Sequence, residues 1–349
     1  MAKRILFFSC EPGGAEVLIP VIKLLKENNF DVIVTAYGHA SMRFKEKNID
    51  FEEVETIKEN DFTLIDRFSP DLIITSATSL PHKDMSEKYL WKNAKEKNIK
   101  TIAFLDQWQN YAIRFSGTEK NERLTYLPTF INCINDIGKE EMIAEGFNAN
   151  ILKLFGQPYL SSLLADADKT DIGAIKEQLK IKRGQRIFLF VSEALKENYG
   201  ETLGYDQYSV LDFFLNNLNK AVDAAVIIKL HPKDDLEKFS NITSRHKNLN
   251  FKLITNELSP LKCILIADFV FGMTSIMLIE AYILGKFVTS LQPNLIVKDP
   301  LLLSRGNYIS KISTYEDFDV LSSFSGNEKH FEFKFLEKEF LEFVNENIN

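Results

Sequence analysis

The chain has 349 residues, of which 45% are hydrophobic and 26% charged, and a formal net charge of −7. That length suits two α/β cores of about 150–200 residues each, and the composition excludes a disordered chain. The acidic balance excludes a nucleic-acid binder, and no apolar run reaches the ~18 residues a membrane span needs; the longest, Ile276–Leu284, is broken by Glu280.

Met1-Ala2-Lys3-Arg4 begins the chain with basic residues. The strand pattern Arg4–Ser9 behind it stops at Glu11-Pro12-Gly13-Gly14, too short for a secretory signal. Cys10, Cys133 and Cys263 are odd in number and set in apolar runs, so they read as reduced thiols of a cytoplasmic protein, with no zinc site. Further strands are expected at Asp31–Ala36, Phe51–Val54, Asp71–Ser76, Lys100–Leu105 and Phe130–Asn135. Helical patterns lie between them, such as Ala15–Asn28 with Val17, Leu18, Val21, Ile22, Leu24 and Leu25 on one face. Strand and helix in alternation predict a parallel sheet with right-handed crossovers.

The first series ends near Gly156-Gln157-Pro158-Tyr159. A polar helix, Thr170–Leu179, leads to a second series of strands at Arg186–Val191, Ala225–Leu230, Phe251–Ile254, Phe269–Phe271 and Phe287–Ser290. The helices between them are Val210–Ala221, Leu261–Ala267 and Ser275–Leu284. Phe331–Asn347 puts Phe335, Leu336, Phe340, Leu341 and Val344 on one face of a closing amphipathic helix. The expected architecture is therefore α/β: two Rossmann-like domains, residues 1–158 and 159–330, whose parallel sheets face each other across a cleft. A helix within 331–349 crosses back to the first.

Lys229-Leu230-His231-Pro232-Lys233 closes a buried strand at its carboxyl end, where open α/β sheets bind ligands, and a His between two Lys there suits a phosphate. A strand end with solvated charges is the plain alternative. Gly272-Met273-Thr274-Ser275 passes from another strand into a helix, where glycine admits close approach and the helix start attracts anions; a routine N-cap would look the same. Glu280 lies in the apolar helix that follows, so it needs a partner, either a ribose diol or a buried cation.

Lys229–Pro232, then Asp268 through Gly272-Met273-Thr274-Ser275-Ile276, Glu280-Ala281 and Gly285-Lys286, resemble the donor-binding half of GT-B glycosyltransferases. The resemblance is to bacterial groups with a His-Pro motif followed by a Ser/Thr motif: sialyltransferases, capsule polysaccharide transferases and teichoic acid glycerophosphotransferases. It implies that His231, Thr274 and Ser275 contact the donor phosphate and Glu280 the ribose. Residues 159–330 then form the nucleotide-sugar-binding domain and residues 1–158 the acceptor side. Lys229, Pro232, Gly272, Met273 and the Ser192-Glu193 pair that ends Arg186–Val191 complete the expected donor site. The polar stretch from there to Gly204-Tyr205 is expected to be a flexible lid.

In the first domain, Glu11-Pro12-Gly13-Gly14 opens a helix at the cleft edge; it is neither a GxGxxG fingerprint nor a P-loop, and a tight turn explains the two glycines equally well. An acid after the first strand is also similar to the nucleotide-sugar 2-epimerases of this fold, although their Gly-Thr-Arg-Pro-Glu opening is absent. Asp106, Trp108, Asn110 and Arg114 cluster after Lys100–Leu105, as a sugar-binding edge would; an Asp cap with aromatics packing the domain is the alternative. Asp106 is the expected base and Glu11 its rival, with Gly13, Gly14, His39, Trp108, Asn110 and Arg114 on the acceptor side. His82, His246 and His330 read as surface residues. Asp166-Ala-Asp168 imitates a metal-binding DxD but lies in the linker.

The expected function is metal-independent transfer of a sugar from a nucleotide donor, CMP- or CDP-linked by resemblance, to a hydroxyl of a glycan or lipid-linked acceptor. No cofactor is implied beyond that donor. Peripheral contact with a membrane or with other polysaccharide-assembly enzymes fits such a role. The rivals are a nucleotide-sugar epimerase or hydrolase on the same fold and a non-catalytic nucleotide-sugar-binding subunit of an assembly complex.

Overall fold

The computed structural model describes residues 3–218, 224–321 and 331–348. The chain divides into two compact units, Met1–Ser162 with Glu332–Asn349, and Leu163–Phe331.

The first unit runs β1 (Arg4–Ser9), α1 (Pro12–Glu27), β2 (Asp31–Ala36), α2 (Gly38–Glu46), β3 (Glu52–Glu53), α3 (Thr63–Phe68), β4 (Leu72–Thr75), α4 (Ser86–Glu96), β5 (Lys100–Phe104), α5 (Tyr111–Arg114), β6 (Phe130–Cys133), α6 (Asp136–Ala144) and β7 (Leu152–Leu154). Its parallel sheet has the order β3-β2-β1-β4-β5-β6-β7. Ile5, Leu6, Phe7 and Phe8 are all buried, the mark of a strand covered on both faces. Pro12 takes the first position of α1, where its missing N–H costs nothing, and Val17, Leu18, Val21, Ile22 and Leu25 pack onto the sheet.

α7 (Pro158–Asp168) carries the chain into the second unit and includes Asp166 and Asp168. There follow α8 (Ile172–Gln178), β8 (Arg186–Val191), α9 (Leu195–Tyr199), α10 (Gln207–Leu218), β9 (Ala224–Lys229), α11 (Leu236–Thr243), β10 (Asn250–Ile254), α12 (Pro260–Ile266), β11 (Phe269–Gly272), α13 (Ile276–Ile283), β12 (Phe287–Leu291), α14 (Leu302–Arg305) and β13 (Ser310–Ile312). All six strands are parallel, in the order β10-β9-β8-β11-β12-β13. Each sheet reverses its winding once, between β1 and β4 and between β8 and β11, and such switch points open crevices at the carboxyl ends of the strands.

α15 (Glu337–Asn347) returns to the first unit, where Phe340 and Val344 are fully buried in its core. The stretch ahead of it is extended rather than helical, because its backbone bonds go elsewhere: Gln157 N–H donates to Phe333 O at 2.8 Å, and Leu336 N–H to Phe155 O at 2.7 Å. Gly156 sits between those contacts at φ +87°, and any Cβ there would strike the Lys334 carbonyl. His330 and Ala221, the expected end of α10, lie outside the described residues. Among the described residues no helix is long and apolar enough to cross a membrane.

Candidate functional site

The carboxyl edge of the second sheet places the ends of β9, β8 and β11 side by side. His231, just past β9, is half-buried. Its Nδ1 accepts the Lys233 backbone N–H at 3.1 Å, and the His231 backbone N–H donates to Asp234 Oδ2 at 2.8 Å. An imidazole that accepts at Nδ1 is neutral and carries its proton on Nε2, so it offers one donor outward. Burial pushes His231 below its ordinary pKa, which the Asp234 carboxylate partly offsets. Lys229 departs from expectation: its ammonium donates to Thr255 O, at the end of β10, and so is directed away from β8 and β11. Pro232 is exposed in the turn.

Past β11, Thr274 and Ser275 lead into α13, and the Ser275 hydroxyl caps it by accepting the Met277 N–H at 3.3 Å. Glu193, past β8, reaches across to this helix start. It accepts from Thr274 N–H at 2.6 Å and from the Thr274 hydroxyl at 2.7 Å. Burial pushes the Glu193 carboxyl above its ordinary range, partly offset by hydrogen bonds from Thr274 and from the amides of Ser275 and Met273. Neither Gly272 nor Met273 is available to a ligand through its side-chain position. A Cβ on Gly272 would lie 3.1 Å from Val191 O, so the glycine serves strand packing, and the Met273 side chain is fully buried in the core. Glu280 is buried within α13.

The stretch after Glu193 is anchored at both ends, with the residues between, 196–202, exposed. Leu195, Leu203 and Tyr205 are buried in the core of the unit, Leu203 O accepts the Ile296 N–H at 3.2 Å, and Gly204 packs against the Asn294 carbonyl. His246 is no surface residue: it is buried, with Nε2 3.2 Å from Asp212 Oδ1, whereas His82 is exposed.

In the first unit, Glu11 follows β1 and Asp106 follows β5. Asp106 Oδ1 lies 2.8 Å from the Arg114 guanidinium, which is buried and further donates to the carbonyls of Ala77 and Gln109. A Cβ on Gly13 would fall 2.7 Å from Asp106 Oδ2, and one on Gly14 would strike the Ser76 hydroxyl. These glycines therefore let the start of α1 close onto Asp106 and Ser76. Burial pushes the Glu11 carboxyl above its ordinary range. His39, exposed at the start of α2, pulls it back, while Asp84 and Asp106 push further. Trp108 is buried and its indole N–H donates to Asn135 Oδ1 at 2.9 Å, so it packs the unit instead of stacking on sugar. Asn110 is exposed at φ 60°, turning the chain into α5.

Sequence reasoning missed what lies under this edge. The hydroxyls of Ser9 and Ser76 are 2.8 Å apart, and Glu87 of α4 accepts from Ser76 and from Thr78 N–H. Lys88 donates to Thr78 O at 3.3 Å, and both Glu87 and Lys88 are fully buried. Burial pushes Glu87 up to about 7 and Lys88 below its ordinary range. The hydroxyls closing two apolar strand runs, Ser9 and Ser76, were the available signal.

No protein-family model and no curated protein sequence matches the chain. Solved structures do match in fold. The chain is similar to UDP-GlcNAc 2-epimerase from Neisseria meningitidis bound to UDP-GlcNAc, at 15% identity and a TM-score of 0.67, covering 99% of this chain and 93% of that one. The UDP-GlcNAc 2-epimerase from Methanocaldococcus jannaschii matches at 12% identity and TM-score 0.69, over 98% and 99%. A glycosyltransferase from Rickettsia africae matches at 13% and 0.61, over 100% and 94%. The chain thus has the GT-B-type fold of two parallel-sheet, Rossmann-like units.

Proposed function

We propose that the chain is an enzyme acting on a nucleotide-activated sugar, and that it performs epimerase-type acid–base chemistry on the sugar. The observation that carries this reading is the pair of carboxylates at one sheet edge of the first unit. Glu11 is pushed up by burial, while Asp106 is held by the Arg114 guanidinium and acts on Glu11 electrostatically. Two carboxyls in unlike environments divide into an acid and a base. Removing and returning a proton at a sugar carbon uses both, whereas transfer to an acceptor hydroxyl needs one. The nucleotide falls to the second unit, with the His231 Nε2–H and the Thr274–Ser275 start of α13 as its phosphate donors. The transferase reading also placed Lys229 in the donor site, and Lys229 is engaged with Thr255 instead.

The test is incubation of the protein with UDP-, CDP- and GDP-activated sugars in deuterated water, followed by proton NMR. Deuterium appearing at a ring carbon together with a second sugar diastereomer supports the epimerase reading. Sugar transfer to an added glycan acceptor without ring deuteration restores the transferase. Loss of both activities in a protein that still binds nucleotide sugar would leave the non-catalytic binding subunit.

A further inference from the structure

The helix start that would receive a phosphate already holds an anion of the chain's own. The Glu193 carboxylate takes the Thr274 N–H at 2.6 Å and the Thr274 hydroxyl at 2.7 Å, the donors that a phosphate at this helix start would use. Its backbone is pinned on both sides. Ser192 N–H donates to Lys229 O at 2.9 Å, and Leu195 N–H donates to Glu193 O at 2.7 Å. The carboxyl group therefore moves only on its own side chain and stays close to whatever binds there.

The partners that hold the Glu193 carboxylate are hydrogen-bond donors at the start of α13: Thr274 and the amides of Ser275 and Met273. The charge of Glu193 acts on the phenols of Tyr199, at the end of α9, and of Tyr205, ahead of α10. His231 follows the neighbouring strand β9 as a neutral imidazole. The Tyr205 hydroxyl is buried and makes no hydrogen bond in the structure, so a donor stands ready beside the carboxylate. A phosphate arriving with Glu193 ionised would set two anions against one set of amides, and like charges at such range favour protonation of the weaker acid.

We infer that Glu193 is a resident anion at the start of α13, and that a phosphate-bearing ligand enters this site only as Glu193 takes up a proton. Glu193 thereby determines which ligands bind and at what pH. The inference rests on the proposed nucleotide site, but one arm of its test does not.

That arm uses sulfate, a dianion that does not titrate near neutrality. Sulfate at millimolar concentration should raise the melting temperature of Glu193→Gln and leave the wild-type chain unmoved at pH 8. The second arm is calorimetric titration with UDP-, CDP- and GDP-activated sugars, whose diphosphates keep their charge from about pH 5.5 to 8.5. In the wild type, affinity should rise as pH falls, with net proton uptake measured by repeating the titration in buffers of different ionisation heat. In Glu193→Gln, affinity at pH 8 should be about tenfold tighter, because a neutral amide competes less well than a carboxylate for the same donors. The pH slope should shrink to whatever His231 contributes. Glu193→Asp, which keeps the charge on a shorter arm, should retain the slope. If Glu193→Gln binds sulfate while no nucleotide sugar binds either protein, the inference stands and the nucleotide reading falls. If nucleotide sugars bind both proteins with the same affinity and the same slope, the inference is overturned and the nucleotide reading survives. Failure of every probe on both proteins overturns both.

Discussion

Replacing Glu87 by Gln tests whether a fully buried carboxyl under the first sheet edge is protonated when the protein is folded. Burial pushes Glu87 from 4.5 to about 7, so folding favours its neutral form. A folded pKa above the unfolded one means that stability is fully present below about pH 4.5 and is lost as pH rises toward 7, because only the unfolded chain releases the proton in that window. The difference of about 2.5 units corresponds to roughly 3 kcal/mol at most, reached above pH 7. Glutamine removes this penalty and keeps the geometry: its oxygen accepts the Thr78 N–H, and its amide donates to Ser76, whose hydroxyl then donates to Ser9. Glu87→Gln should therefore match the wild type near pH 4.5 and exceed it by up to about 3 kcal/mol at pH 8. Urea unfolding followed by tryptophan fluorescence reports on this unit alone, since both tryptophans, Trp91 and Trp108, lie in it. A variant less stable than the wild type at every pH, with parallel curves, would refute the reasoning and identify Glu87 as an ionised partner of Lys88.

His231→Ala should weaken nucleotide-sugar binding by about 1.5–3 kcal/mol in calorimetry, the range for hydrogen bonds to charged groups, without lowering the melting temperature. Asp106→Asn and Glu11→Gln should each reduce kcat at least about a hundredfold in the NMR assay while nucleotide affinity holds; near-normal turnover in either assigns both proton transfers to the other residue. Phe340→Ala should destabilise the first unit by about 3–5 kcal/mol in the same tryptophan-detected unfolding, because it empties a buried ring site among Phe104, Phe155 and Phe335. Turnover is expected to survive chelation by EDTA, and loss of activity restored by magnesium or manganese would count against the proposed chemistry.

The sheets were legible because parallel strands buried on both faces leave continuous apolar runs, and Arg4–Ser9, Asp31–Ala36 and Arg186–Val191 stand where periodicity put them. Of the edge strands, Asn250–Ile254 was legible and the other three were not. Leu152–Leu154 and Ser310–Ile312 are three residues long, and only Glu52–Glu53 of Phe51–Val54 pairs, which is too short to carry a period. At the candidate sites, sequence located the strand ends but not the side-chain directions beyond them. Trp108 and Met273 have the chemistry of ligand contacts and are spent on packing, while Lys229 turns along its own flank. Glu87 and Lys88 open what reads as an ordinary polar helix start. Their burial follows from how α4 lies on the sheet, which no local pattern encodes.

The closure of the first unit by residues 332–348 has a consequence for synthesis. In chain order the second unit is an insertion within the first, so 169 residues, from 163 to 331, must be translated before Phe340 and Val344 can reach their core. At ribosomal speeds that interval is roughly 10–30 s, during which the apolar ground around Phe104 and Phe155 has no covering helix. The half that begins first on the ribosome is completed last, and the second unit, continuous in sequence, can finish folding ahead of it.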